Sequence, residues 1–232
     1  MAETFLLSVD DAGAYLVALR EELVLGHLQG DADLPFLADI AVRHALLRRR
    51  TSFAGGPTWR IEPIAGECAR VAGALLVEPR DLASGDEVEL ARNLAFRFSL
   101  PDPASETAVL ELLGGTECAG ATHVILFAEG PGGRIGIGAS RERHVRVPRP
   151  ELELVLFWQA GRLFLVSEAR ISGAERNEAG ISLPCPPARR CVASVAPESS
   201  SRAPFGLAIE PAELCRGRKP PGTELGGIPA GR

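Results

Sequence analysis

Lysine is almost absent from this chain: Lys219 is the only one, so nearly all of the positive charge is arginine. Together with abundant Ala, Gly and Pro, this reads as the codon bias of a GC-rich bacterium and carries no functional meaning. A net positive charge is also missing. The formal charge is -5 and the pI near 5.5, so no global field draws the chain to DNA, RNA or anionic lipid. Neither nucleic acid nor membrane is an expected partner. No apolar stretch approaches the ~18 residues that cross a bilayer, and the opening MAETFLLSVDDAG lacks the basic start and longer apolar run of a secretory signal. The expected location is the cytoplasm.

Metal and catalytic signatures are missing as well. The five cysteines (Cys68, Cys118, Cys185, Cys191, Cys215) are scattered, without the close pairs of zinc sites or small disulfide frameworks, and read as buried or incidental thiols. His27, His44, His123 and His144 have no metal-ligand spacing, and neither His-Glu-x-x-His nor Gly-x-Ser-x-Gly occurs. In GPGGRIGIGAS, Gly133 and Gly138 have the separation of a Walker loop, but Ala139 stands where its lysine must be. A dinucleotide fingerprint fails at Arg141, which replaces the third glycine. Asp31, Asp33 and Asp39 lack the alternating oxygen ligands of a calcium loop and read as a solvated loop. No cofactor, no metal and no catalysis are expected.

What the chain does have is short apolar segments broken by turn-forming clusters, the pattern of an all-β protein. Strands are expected at 4–9, 14–19, 23–25, 34–36, 44–49, 58–63, 71–77, 87–90 and 94–99. Asp10-Asp11-Ala12-Gly13 and Ala83-Ser84-Gly85-Asp86 suit turns. Helices over 14–24 and 34–50 compete, but Pro35 interrupts the second and neither has both caps. Pro101 and Pro103 mark a linker. A second series follows at 107–113, 123–127, 134–137, 144–147, 152–158 and 162–166, with 159–161 as a three-residue hairpin loop and 205–209 as a closing strand. Past 215 the chain is too rich in Gly and Pro to pack. The expected organisation is two consecutive β-sandwich modules, 1–105 and 106–214, with 215–232 as a disordered tail.

The first module, over roughly residues 4–100, resembles a forkhead-associated (FHA) domain. That family is an eleven-stranded β-sandwich that in its usual form binds phosphothreonine peptides through loops at one end. Its pattern is a Gly-Arg pair after the third strand, a later Ser-x-x-His, and a Thr-Asn-Gly stretch closing on a second Asn-Gly. VLGHLQGDADLPFLADIAVRHALLRRR falls where the first two belong and IAGECARVAGALL where the third belongs. DLASGDEVELARNLAFRF matches the usual ending, an acidic turn followed by two strands. The resemblance implies structural roles for Gly26, His44 and Gly73. It places His27, Ala41, Glu67 and Ala72 where the family has the Arg, the Ser and the two Asn that hold the phosphopeptide, and leaves Arg43 as a possible phosphate contact.

The second module echoes the first, with Gly138-Ala139 for Gly-Arg, Glu151 and Leu154 for the Ser and His, and Ser172-Gly173 for the final Asn-Gly. It retains no phosphate-reading position. In the first module, the replacements at His27, Ala41, Glu67 and Ala72 lose a charged contact and two neutral ones, which should cost on the order of 3 to 6 kcal/mol, enough to take a micromolar binder to about millimolar or beyond. The resemblance therefore implies a non-catalytic protein-interaction or scaffolding module with a degenerate phosphopeptide site, its partner a protein, phosphorylated or not. The alternative is a phosphothreonine-peptide reader in bacterial Ser/Thr kinase signalling.

Overall fold

The structure is a computed structural model. It describes residues 4–51, 57–64, 66–102, 104–128, 132–159, 162–167, 170–172, 175–177, 180–184, 190–196 and 204–212. Among these, every regular element is a strand. The first half contains β1 (Thr4–Val9), β2 (Gly13–Ala18), β3 (Glu22–His27), β4 (Leu34–Phe36), β5 (Ala45–Thr51), β6 (Pro57–Pro63), β7 (Arg70–Val71), β8 (Ala74–Leu75), β9 (Arg80–Asp81), β10 (Glu87–Ala91) and β11 (Leu94–Ser99). The second contains β12 (Ala108–Leu112), β13 (His123–Leu126), β14 (Arg134–Gly138), β15 (Val145–Arg146), β16 (Glu153–Gln159), β17 (Arg162–Ser167), β18 (Arg170–Ser172), β19 (Glu175–Asn177), β20 (Gly180–Pro184), β21 (Cys191–Ala196) and β22 (Phe205–Pro211).

The all-β class expected from the turn spacing is what the chain adopts, and neither competing stretch is helical: each is strands joined by loops. The strand expected over 71–77 is split. Ala72 and Gly73 both have positive φ, +50° and +78°, and make a two-residue turn between β7 and β8. Gln159 pairs with Arg162, so the β16–β17 connection is two residues rather than three. The expected tail, 215–232, lies outside the described residues, as do Cys185, Cys215 and Gly173.

Three sheets form three layers. The middle one has eleven strands in the order β18-β21-β22-β1-β2-β13-β12-β11-β10-β7-β8. A five-stranded sheet, β4-β3-β5-β6-β9, and a six-stranded sheet, β15-β14-β16-β17-β20-β19, form the other two. Side-chain alternation shows where each packs. On β1, Leu6 joins one apolar core with Leu23, Leu47 and Ile61 of the five-stranded sheet, whereas Phe5, Leu7 and Val9 join a second with Ile135, Leu156 and Leu165 of the six-stranded sheet. The same split divides Leu16 from Val17 on β2, Leu110 from Val109 on β12, and Leu126 from Ile125 on β13. These central strands are covered on both faces, which is why FLL, YLVA and HVIL run apolar without alternation. β10 and β11 are covered on one face and alternate, as EVELA and LAFRFS show.

Residues 101–105 do not divide the molecule into two successive sandwiches, which corrects that part of the expected organisation. β11 and β12, on either side, are ladder neighbours with Phe96 opposite Leu112 and Ser99 opposite Val109. Pro101 denies nothing to the sheet because it lies past the end of β11. There the Asp102 carboxylate accepts the Ala104 N–H at 2.9 Å and the Asp102 carbonyl accepts the Ser105 N–H at 2.9 Å. Each half instead lends its opening hairpin to the other: β12 lies beside β11, β1 lies beside β22, and β2 and β13 run parallel between them. No helix among the described residues is long and apolar enough to cross a membrane.

Candidate functional site

The residues singled out in the first half gather where β3, β5 and the loops around them end. Gly26 is the next-to-last residue of β3, and a Cβ there would stand 1.9 Å from the Val42 carbonyl oxygen, so the 41–43 segment rests directly on its backbone. Two hydrogen bonds fix that contact: the His27 N–H donates to the Ala41 carbonyl at 2.9 Å and the His44 N–H to the Leu25 carbonyl at 2.8 Å. The His27 ring is engaged locally, its Nδ1 accepting the Gln29 N–H at 3.1 Å.

His44 ties three loops together. Its side chain is buried, at 4% exposure. Nε2 donates to the Cys68 carbonyl at 3.0 Å and the His44 carbonyl accepts the Ile64 N–H at 2.9 Å. Nδ1 lies 3.2 Å from the Glu67 carboxylate, without directed hydrogen-bond geometry. Glu67 is thus turned toward His44. Ala72 and Gly73 lie on the β7–β8 turn, where the Gly73 carbonyl accepts from Arg70 at 3.2 Å. The structure therefore brings Gly26, His27, Ala41, His44 and Glu67 together, and places Arg43 beside them with its guanidinium 3.4 Å from Asp31.

Sequence reading passed over Asp33 as one of a solvated acidic group. One of its carboxylate oxygens accepts the Val24 N–H at 2.9 Å and the other takes Arg20 at 2.6 Å. An Asp before a short strand can accept from the backbone, but Asp31 two residues earlier is the same type, so the sequence does not single Asp33 out. An open cleft of about 590 Å³ adjoins it, lined by Arg20, Glu21, Glu22, Asp31, Asp33 and Arg43 with Leu19 and Val24. Four carboxylates outnumber two guanidinium groups there, and Glu22 and Glu21 are further paired with Arg48 and Arg49 of β5.

In the second half the ladder moves one assignment. Glu153, not Leu154, lies opposite Gly138, in the place His44 takes relative to Gly26, because Ile137 pairs with Leu154 as Leu25 pairs with Ala45. Leu154 is core, and Glu153 binds Arg143 at 2.8 Å. Glu151 is exposed on the approach to β16, and Ser172 closes β18. His144, which the sequence did not single out, is buried at 4% exposure. Its Nδ1 accepts the Gly136 N–H at 3.1 Å and its Nε2 donates to the Thr107 carbonyl at 3.2 Å. Burial pushes its pKa down to about 4, helped by Arg134 and Arg143 and opposed by the Thr107 carbonyl and Asp102. Burial likewise lowers the pKa of His123.

Among the described residues no group of three or more His, Cys, Asp or Glu is placed to hold a metal ion, and Cys68, Cys118 and Cys191 form no disulfide. No family model and no curated protein matches the chain. Among solved structures it is similar to the Slr1951 protein from Synechocystis sp., at 21% identity and a TM-score of 0.31, over 41% of this chain and 95% of that one. A likeness of that size says nothing about what this chain does.

Proposed function

We propose that the chain is a non-catalytic protein-interaction module whose loop end docks another protein without reading phosphate. One observation carries this: each arginine near the loops, Arg20 and Arg43, lies against an aspartate in a cleft where carboxylates predominate. A phosphate dianion needs several converging donors to offset its desolvation, and here it would meet Asp31 and Asp33 first. The FHA resemblance supports the same reading. β13-β12-β11-β10-β7-β8 and the five-stranded sheet on their face make eleven strands, and the loops at one end carry Leu28, Leu37 and Val42 exposed to solvent. The His27 ring, in the place of the family's arginine, offers a weaker and shorter contact.

Calorimetry of the whole chain against a phosphothreonine peptide library tests this, the whole chain because β12 and β13 complete the first core. Binding no tighter than about millimolar is expected. Micromolar binding that vanishes on dephosphorylation would make the chain a phosphopeptide reader centred on Arg43.

A further inference from the structure

Three aliphatic side chains left in water cluster on the first half's loops. β3 and β4 are parallel with His27 opposite Phe36, and the Leu28 N–H donates to the Phe36 carbonyl at 2.8 Å, so Leu28 emerges beside Leu37. Val42 lies against Gly30, where a Cβ would stand 2.3 Å from its Cγ1. Leu37 is 79% exposed, Val42 51% and Leu28 49%. Aliphatic groups gathered in this way mark an interaction surface. The segment that carries them is acidic: residues 27–44 hold Asp31, Asp33 and Asp39 against Arg43, with Asp33 itself tied to Arg20 and the Val24 N–H. Among the described residues, Asp39 is exposed without an ion-pair partner, and Asp31 is paired with the exposed Arg43 alone, at 3.4 Å.

The equivalent loops of the second half have the opposite sign. Residues 139–151 hold four arginines against Glu142 and Glu151. Arg143 and Arg149 are engaged by Glu153 and Asp11. Arg141 and Arg146 are exposed and have no ion-pair partner among the described residues. The repeat puts both loop groups at the same end of the molecule. β2 and β13 run parallel in register, Tyr15 opposite His123, and each leads into the first strand of an outer sheet, one sheet on each face of the middle layer.

We propose that this end binds the same end of a second copy of the chain. A two-fold axis across the strands lays the aliphatic, acidic loops of each copy on the arginine loops of the other. The interface is then closed and self-complementary, with two equal contacts. Arg141 and Arg146 suit both features of the opposing surface, since their methylene stems cover apolar side chains while the guanidinium groups reach carboxylates. The inference rests on the interaction-module reading and names its partner.

Sedimentation velocity of the whole chain tests it. A dimer is expected at low salt, with its dissociation constant rising about tenfold or more as ionic strength goes from about 0.05 to about 0.5 M. The double variant Asp31→Arg with Asp39→Arg makes both loop groups basic, and Arg141→Glu with Arg146→Glu makes both acidic. Each should be monomeric alone, with unchanged circular dichroism, and an equimolar mixture should dimerise, because every contact is then again basic on acidic. A monomeric wild type at all salt concentrations, variants that dimerise alone, or a mixture that stays monomeric would each overturn the proposal. None of these touches the module reading, which fails instead on phosphorylation-dependent micromolar peptide binding.

Discussion

The β4-β3-β5 and β15-β14-β16 groups share a pairing pattern but not their chemistry, and the clearest case is the residue just before the short parallel strand beside β3 or β14. Asp33 precedes β4 and His144 precedes β15, and each accepts the N–H of the third residue of the adjacent strand, Val24 or Gly136. The fold demands an acceptor there, because that N–H is otherwise orphaned. Which acceptor serves depends on water. Asp33 lies at the cleft, where its charge is solvated and shared with Arg20. His144 lies under the 105–107 connection, where only a neutral group is cheap to bury, and a neutral imidazole both accepts from Gly136 and donates to Thr107.

The largest break in the comparison comes from the paired glycines. A methyl group at Gly26 meets the backbone oxygen of Val42 at 1.9 Å, whereas at Gly138 it meets the Glu153 carboxylate at 2.8 Å, the mobile end of a half-exposed side chain. Gly26→Ala should therefore cost about 3 kcal/mol or more and Gly138→Ala under about 1 kcal/mol, read from urea unfolding midpoints. Equal losses would mean that the 41–43 segment does not rest on β3.

The next effect is a dependence on pH. The His144 pKa is about 4 in the folded chain against about 6.5 when free. Between those values the unfolded chain holds more protons, so stability falls as pH drops from about 6.5 to about 4 and levels off below. The loss should be about 3 kcal/mol. His144→Asn removes the titration, so wild type should lose about that much more than the variant across the window. Parallel pH profiles for wild type and His144→Asn would show that the imidazole is not buried neutral.

Asp33 itself carries a smaller prediction. Asp33→Ala orphans the Val24 N–H and should cost about 1 to 2 kcal/mol, whereas Asp33→Asn keeps an acceptor and should cost under about 1 kcal/mol. Indistinguishable unfolding midpoints for the two variants would show that the Val24 bond contributes nothing.

Much of this was legible in the residues before any coordinates. Alternation in EVELA and LAFRFS, and its absence in FLL and HVIL, reports covered faces, and most strand positions follow from it. The pairing was not legible, since nothing local in β1 says that β22 rather than β11 is its neighbour; that choice rests on which hairpin fills which core. The weak stretch after residue 167 hid β18 to β21 because proline and serine breaks blur short strands. At the loop end, Gly26 and His44 carried their signal in their types. Asp33 and His144 did not, because a backbone acceptor can be a carboxylate or an imidazole, and burial that no motif encodes decides between them.

The smallest effect separates two turns of like sequence. Ala72-Gly73 joins β7 to β8 and Ala119-Gly120 joins Cys118 to Ala121, with φ of +50° and +78° in the first and +52° and +82° in the second. An alanine at such φ has its Cβ crowded by the carbonyl oxygen, a strain of about 1 to 2 kcal/mol that Asn relieves in part through local hydrogen bonding. Ala72→Asn and Ala119→Asn should each raise stability by about 0.5 to 1 kcal/mol, additively, because the turns are separate. Only Ala72 stands where the FHA resemblance places a peptide-holding amide, so the two variants also ask whether that turn belongs to a phosphopeptide site. With Asp31, Asp33 and Glu67 still in place, the added amide should leave phosphopeptide affinity as low as in wild type, matching Ala119→Asn. A rise of tenfold or more in Ala72→Asn alone, by calorimetry, would show that the turn faces the phosphopeptide and that the site lacked one donor rather than a suitable charge.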